Sequence, residues 1–205
     1  MKPIHPNNKP FRDFLQFWER YCTLEDYHAK WASSHMELMP VKRHQVLYDE
    51  SLSRKDFFVV CRGMLANVDT APGKRRILNI AIRNMSLATT SHLFSDSYAA
   101  GQIVALRSGY VLRVPYRYLL ETLPQDPCIQ ALVSVFNNKQ QRLLQLVRRS
   151  CLSNSPRERF RQFSILLPEI LAQTTQREQA ELLGISRDTV QKTGKELLFA
   201  TRQTK

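Results

Sequence analysis

The chemistry this sequence offers is concentrated in TQREQAELLGISRDTVQKTGKELL, residues 175–198. Its spacing predicts two short helices, Gln176 to Leu183 and Arg187 to Leu198, joined by Gly184-Ile185-Ser186. Ala180 is small where two crossing helices must approach. Gly184 accepts the positive φ of a sharp turn. Ser186 has the hydroxyl that caps a following helix by accepting one of its unpaired N–H groups. Leu183, Ile185 and Val190 are spaced to bury one apolar seam. The pattern is a helix-turn-helix, whose second helix enters the major groove of duplex DNA. The plainer alternative is a helical hairpin with no groove to read. Gln179 and Thr193 stand where apolar residues are expected, and Gly194 inside the second helix costs about 1 kcal/mol against alanine.

Charge fits the nucleic-acid reading. The 205 residues hold 30 Lys and Arg against 18 Asp and Glu, a formal charge of +12 that favours a polyanionic partner. The excess persists from Lys139 to Lys205, with 13 basic side chains against 6 acidic ones. No Gly-rich phosphate loop, metal-ligand pair or nucleophile–base pattern appears, so an enzyme is not expected. The first residues, MKPIHPNNKPFRDF, lack the apolar run of a signal peptide, and no stretch reaches the roughly 18 apolar residues of a membrane span. A soluble cytoplasmic protein is expected. Cys22, Cys61, Cys128 and Cys151 are scattered, with no C-x-x-C pair to suggest zinc or an iron–sulfur cluster. They are expected to be reduced, packed thiols. Cys151, near Arg148 and Arg149, is the best candidate for a redox-sensitive one.

Such a motif must be carried by other elements. Residues 11–35 have helical spacing, with Phe14, Phe17, Trp18, Tyr21 and Leu24 on one side. Between residues 39 and 114, runs rich in Val, Ile, Phe and Tyr alternate with Gly, Pro, Asn and Ser: VKRHQVLY, FFVVCRGMLANVD, RRILNIAI and QIVALRSGYVLRVP. They predict a small antiparallel barrel or sandwich, with a hairpin loop at residues 69–74. A short helix follows over 115–123, and a long one over 126–152. On the long helix Ile129, Val133, Phe136, Gln140, Leu143 and Val147 follow a 4-3-4-3-4 spacing, a coiled-coil seam with one polar position. That seam predicts a homodimer, since palindromic half-sites need two helix-turn-helix units. The alternative is packing against the protein's own sheet. Residues 153–156 read as a hinge, and 157–172 as a further helix that Pro168 ends or kinks. The expected organisation is residues 1–125, a helix plus β domain; 126–152, the dimer helix; and 153–205, the DNA-binding domain.

This order of elements resembles the cyclic-AMP receptor/FNR family of bacterial transcription regulators, most clearly in GISRDTV, residues 184–190. The resemblance covers about residues 39–198. It implies an α+β fold: an N-terminal β-roll of the cyclic-nucleotide-binding type, a dimerisation helix and a C-terminal helix-turn-helix. It also implies that Arg187, Asp188 and Lys192 face base edges, and that Ser186, Thr189 and Arg177 contact the DNA backbone. Their chemistry suits both tasks. RNA polymerase becomes an expected partner.

Two departures qualify the resemblance. Where the cyclic-nucleotide cassette has Gly-Glu and Arg-Ser, this chain has Thr89-Thr90 and Ala100-Gly101. The arginine that would pair the cyclic phosphate is missing, so cyclic AMP is not expected and no cofactor is assigned. The end, LLFATRQTK, is also too short for the β-hairpin wing, leaving Lys195, Arg202 and Lys205 as substitute phosphate contacts. The leading expectation is a homodimeric DNA-binding regulator with a degenerate sensor domain. The alternatives are a switch that senses haem, a small molecule or cysteine oxidation, and an interaction protein that no longer binds DNA.

Overall fold

The computed structural model describes residues 3–70 and 75–203, the side chains only as far as residue 199. The tip of the anticipated hairpin, residues 71–74, and the side chains of Arg202 and Lys205 lie outside it. The chain forms two compact units, one of residues 1–70 and 80–140 and one of residues 71–79 and 141–205.

In the first unit, α1 (Lys9–Trp18) and α2 (Asp26–His35) replace the single helical run suggested by the aromatic spacing. The break has a local cause. Glu25 and His28 form a reciprocal cap in which each side chain accepts a backbone N–H of the other's turn, and this starts α2 afresh. Phe11, Phe14, Phe17 and Trp18 on α1 are buried, whereas Tyr21 beyond it is exposed.

The sheet comprises β1 (Glu37–Val41), β2 (Val46–Asp49), β3 (Asp56–Asp69), β4 (Arg76–Ala81), β5 (Ser86–Ala88) and β6 (Gln102–Pro115). Two 14-residue strands, β3 and β6, run antiparallel from Asp56 opposite Pro115 to Val68 opposite Gln102. The sheet order is β1-β6-β3-β4, with β2 added to β6 and β5 to β3. The central ladder shifts register around Arg62 to Leu65. Gly63 and Gly109 permit this: a Cβ on Gly109 would lie 2.0 Å from the Arg62 carbonyl oxygen, so the two backbones approach where no side chain fits.

After α3 (Tyr116–Thr122) comes α4 (Pro127–Cys151). Three of the five residues expected to form the dimer seam pack within the chain itself. Ile129, Val133 and Phe136 are buried in the chain's own core with Phe17, Phe57, Leu112 and Val114. The Phe136 ring packs 5.8 Å from Phe17 and 5.9 Å from Phe57, centre to centre. The polar seam residue Gln140 donates from Nε2 to the Ile80 carbonyl at 3.2 Å. Leu143 is buried and Val147 half-buried in the second unit. The first half of the heptad-like spacing therefore faces the chain's own core. The opposite face, with Gln130, Ser134, Asn137, Gln141 and Gln145, is exposed and polar.

Asp126 starts α4 by accepting the N–H groups of Cys128 and Ile129 at 2.8 and 3.1 Å and the Tyr27 hydroxyl at 2.7 Å. Burial opposes the charged carboxylate, but these donors and the neighbouring His28 together hold its pKa below the ordinary value. A depressed carboxyl pKa stabilises the fold above the unfolded value of about 3.9, and that stability is lost as pH falls through the folded value. Asp126→Asn should therefore unfold at lower denaturant than the wild type at pH 7, with the gap closing below about pH 4. Urea titrations at both pH values measure this, and a gap independent of pH would contradict the charged cap.

The second unit holds α5 (Pro156–Leu166), α6 (Pro168–Gln173), α7 (Gln176–Leu183) and α8 (Arg187–Gln203), together with the end of α4. Pro168 divides what the apolar pattern presents as one helix, serving as the first residue of α6. The last helix continues through Gln203, so LLFATRQ is helical. No helix among these residues is long and apolar enough to cross a membrane.

Candidate nucleic-acid interface

The helix-turn-helix is fixed by caps. Thr175 starts α7: its hydroxyl accepts the Glu178 N–H at 3.3 Å, and the Glu178 carboxylate accepts the Thr175 N–H at 2.7 Å. Gly184 ends α7 at φ 65°, ψ 33°, the left-handed geometry of a helix C-cap. Ser186 then caps α8, its Oγ accepting the Thr189 N–H at 3.0 Å and lying 2.8 Å from the Thr189 hydroxyl. Leu183 and Val190 are almost fully buried and Ala180 is buried, with α7 packed on α8.

The structure places the three misfits of the seam. Buried Gln179 donates its amide to the carbonyls of Leu171 and Thr174, at 3.1 and 2.9 Å, tying α7 to the end of α6. Thr193 is fully buried, with no hydrogen bond from its hydroxyl. Gly194 has room for a side chain, because an added Cβ would meet only the Phe160 ring edge at 3.8 Å. Gly194→Ala should therefore stabilise the protein by about 0.5–1 kcal/mol through helix propensity alone. A lower denaturation midpoint would show a closer fit here than the backbone indicates.

The first turns of α8 present Arg187, Asp188, Gln191 and Lys192 to solvent. Lys192 Nζ lies 2.9 Å from Asp188, an exposed pair worth little to stability and easily exchanged for a base or phosphate. Ser186 and Arg177 are exposed and Thr189 half-buried, all within the helix-turn-helix. The hydroxyls of Ser186 and Thr189 are engaged in the cap itself. Arg177 Nε pairs with Glu181 at 2.9 Å while the side chain stays largely exposed.

Two features escaped the sequence reading. Gln191 lies one turn beyond Arg187 and shares its face; its i+4 spacing was the available signal, and Gln can pair with an adenine edge. Arg75 and Arg76 join Arg177 and Arg187 around a depression of about 120 Å³ in the same unit, with Arg75 lying 3.5 Å from Glu181. About a hundred residues of chain separate them, so no local signal existed.

The cysteines carry no comparable arrangement. Burial, then the neighbouring Cys128, pushes the Cys22 thiol up to about 12, and burial does the same to Cys61. Cys151 is also raised, because burial outweighs the pull of Arg159. A raised thiol pKa lowers the thiolate fraction and so disfavours the redox role considered for Cys151.

His28, Asp126 and Cys128 bring potential ligand atoms within 4.8 Å of one another. Yet His28 Nδ1 accepts the Glu25 N–H at 2.9 Å, which places the ring proton on Nε2. That protonated nitrogen lies 3.4 Å from Asp126 without a hydrogen bond and has no lone pair free to ligate a metal.

No protein-family model and no curated protein matches the sequence. Solved structures do match in fold. FixK2 from Bradyrhizobium japonicum superposes with a TM-score of 0.67 at 14% identity, covering 81% of this chain and 86% of that one. CLP from Xanthomonas campestris, a c-di-GMP responsive global regulator linking cell–cell signalling to virulence gene expression, gives 0.66 at 13%, over 86% and 93%. TTHB099, a CRP-family transcriptional regulator from Thermus thermophilus, gives 0.63 at 16%, over 80% and 85%. The chain has the α+β fold of these regulators, with the cyclic-nucleotide-binding type of β domain and a helical C-terminal region.

Proposed function

We propose that this protein is a sequence-specific DNA-binding transcription regulator of the CRP/FNR type, acting in the cytoplasm and without enzymatic activity. The observation that carries this reading is the start of α8: Arg187, Asp188, Gln191 and Lys192 are exposed on one capped, rigidly seated helix in a basic protein of this fold. Arg can donate two hydrogen bonds to guanine, Asp can accept from cytosine, and Lys can reach guanine or phosphate. Arg177, with Arg75 and Arg76 near it, adds positive charge for the phosphate backbone.

Two copies would read two half-sites. The Ile129–Val133–Phe136 stripe is committed to the chain's own core, so the proposed homodimer uses another surface. RNA polymerase remains the proposed protein partner.

The β domain is proposed to have lost its cyclic-nucleotide function. Thr89 donates to the Arg54 carbonyl at 2.8 Å and accepts the Asp56 N–H at 2.9 Å, and Thr90 bonds the His92 carbonyl and lies 2.7 Å from the Tyr116 hydroxyl. These hydroxyls are spent holding the roll together.

Mobility-shift titration of the full chain against genomic fragments tests the reading. A discrete fragment bound at least 10³-fold more tightly than random DNA is expected. No preference for any duplex at low salt would overturn it.

A further inference from the structure

A second candidate site lies at one end of the β domain, beside the segment 89–101, whose Thr89, Thr90 and Asp96 bond residues of its wall. The start of β3 and the end of β6 run side by side, with Asp56 opposite Pro115. The Tyr116 N–H donates to the Lys55 carbonyl at 3.0 Å, clamping the first turn of α3 against the same strand. Between these walls is an open groove of about 470 Å³, the size of a small-molecule site.

Charge in the groove is unbalanced. Arg54, Lys55, Arg113 and Arg117 line it, with Asp56 as the sole carboxylate among its lining residues. Asp56 is buried and holds Arg54 Nε at 3.0 Å. Arg113 reaches Glu37 at 3.1 Å through one terminal nitrogen, but its buried Nε lies 3.9 Å from Asp56 and has no hydrogen-bond acceptor. Lys55 pairs with Asp96, whose side chain is almost wholly in water, so a ligand can displace it at little cost. Arg117 stacks on the Tyr118 ring at 4.6 Å and donates to its hydroxyl, leaving the rest of the guanidinium edge open.

The body of the groove is apolar. Pro115 and Leu120 contribute to it, and Leu120 is 37% exposed. Tyr116 is buried beside it, its hydroxyl already engaged with Thr90. Apolar walls with a few convergent charges are the usual composition of a site for an organic ligand. Asp56 in the wall opposes accumulation of negative charge, which favours one ligand charge over several.

We infer that this groove binds a small organic monoanion, a carboxylate with an apolar tail, the head held at Lys55 and Arg117 and the tail against Pro115 and Leu120. The site is independent of the DNA-binding reading and gives the β domain a ligand unrelated to cyclic nucleotides.

Octanoate serves as the probe, titrated into the isotope-labelled full chain with amide shifts as the readout. The expected result is saturable shifts at Lys55, Arg117 and Leu120. Octan-1-ol should bind roughly tenfold more weakly because it lacks the charge, and inorganic phosphate roughly tenfold more weakly because it lacks the tail. Lys55→Glu and Arg117→Glu lie at the rim, where the fold tolerates them, and each should weaken octanoate roughly tenfold. Leu120→Asp should do likewise while leaving amide positions elsewhere unchanged. Octanol binding as well as octanoate would reduce the groove to a hydrophobic crevice. Phosphate binding as well would make it a simple anion site. Affinity unchanged by all three substitutions would place the probe elsewhere. Each of these results overturns the inference.

Discussion

Phe136→Ala is expected to lower the stability of the protein by about 3–5 kcal/mol, the range for removing a large aromatic side chain from a packed core. Phe136 is 1% exposed and lies between the rings of Phe17 on α1 and Phe57 on β3. Truncation would remove its contacts with both and leave a cavity lined by rigid neighbours, which the sheet on one side and the helix on the other prevent from collapsing. Domains are typically stable by only about 5–15 kcal/mol, so the loss takes a large share of what holds the fold. The same position distinguishes two roles for α4. If its apolar stripe belongs to the chain's own core, urea unfolding shifts strongly and the shift does not depend on protein concentration. If the stripe were a seam between two chains, the substitution would change the sedimentation coefficient at micromolar concentration and leave the unfolding midpoint of the separated chain near its starting value. The second pattern would reinstate the coiled-coil reading.

That contrast shows what the sequence does and does not encode locally. The helix-turn-helix was legible because its signals act within a few residues, Gly184 at the turn and Ser186 capping the next helix; the equally local Thr175–Glu178 cap emerges only in the structure. The caps are nearly independent of the rest of the molecule, so reading them requires no tertiary structure. The 4-3-4-3-4 spacing on α4 was equally visible, but a period reports only that one helix face avoids water. It does not say which surface covers that face, and here the chain's own aromatic helix and sheet do so. Gln140, the one polar position of that spacing, is a donor to the Ile80 carbonyl. The long strands β3 and β6 were clear from their Val- and Ile-rich runs. The three-residue β5 left no comparable periodicity. The grouping of Arg54 and Lys55 with Arg113 and Arg117 depends on strand register, which no local spacing reveals.

The DNA prediction rests on how one helix divides its work. Arg187 is the first residue of α8, exposed, with no ion-pair partner among the described residues, so its guanidinium is free to point into a groove. If it reads a guanine edge, Arg187→Ala should cost about 1–3 kcal/mol on the specific site, a loss of roughly 5- to 150-fold, with little change on random DNA. Lys195 lies two turns further along the same helix, also exposed, and is the candidate for a phosphate. Its replacement by alanine should weaken both DNAs alike and reduce the slope of log affinity against log salt by about one unit. Arg177 should resemble Lys195, with a smaller effect because Glu181 already holds part of its charge at 2.9 Å. Removing that carboxylate supplies a control: Glu181→Gln should strengthen binding to specific and random DNA together, since it frees Arg177 and Arg75 without adding a base contact. Mobility-shift titrations at several salt concentrations measure all four variants. Equal losses on both DNAs for Arg187→Ala would move it from base reading to the backbone. A salt slope unaffected by Lys195→Ala would take the later turns of α8 out of the interface and confine DNA recognition to its first two turns.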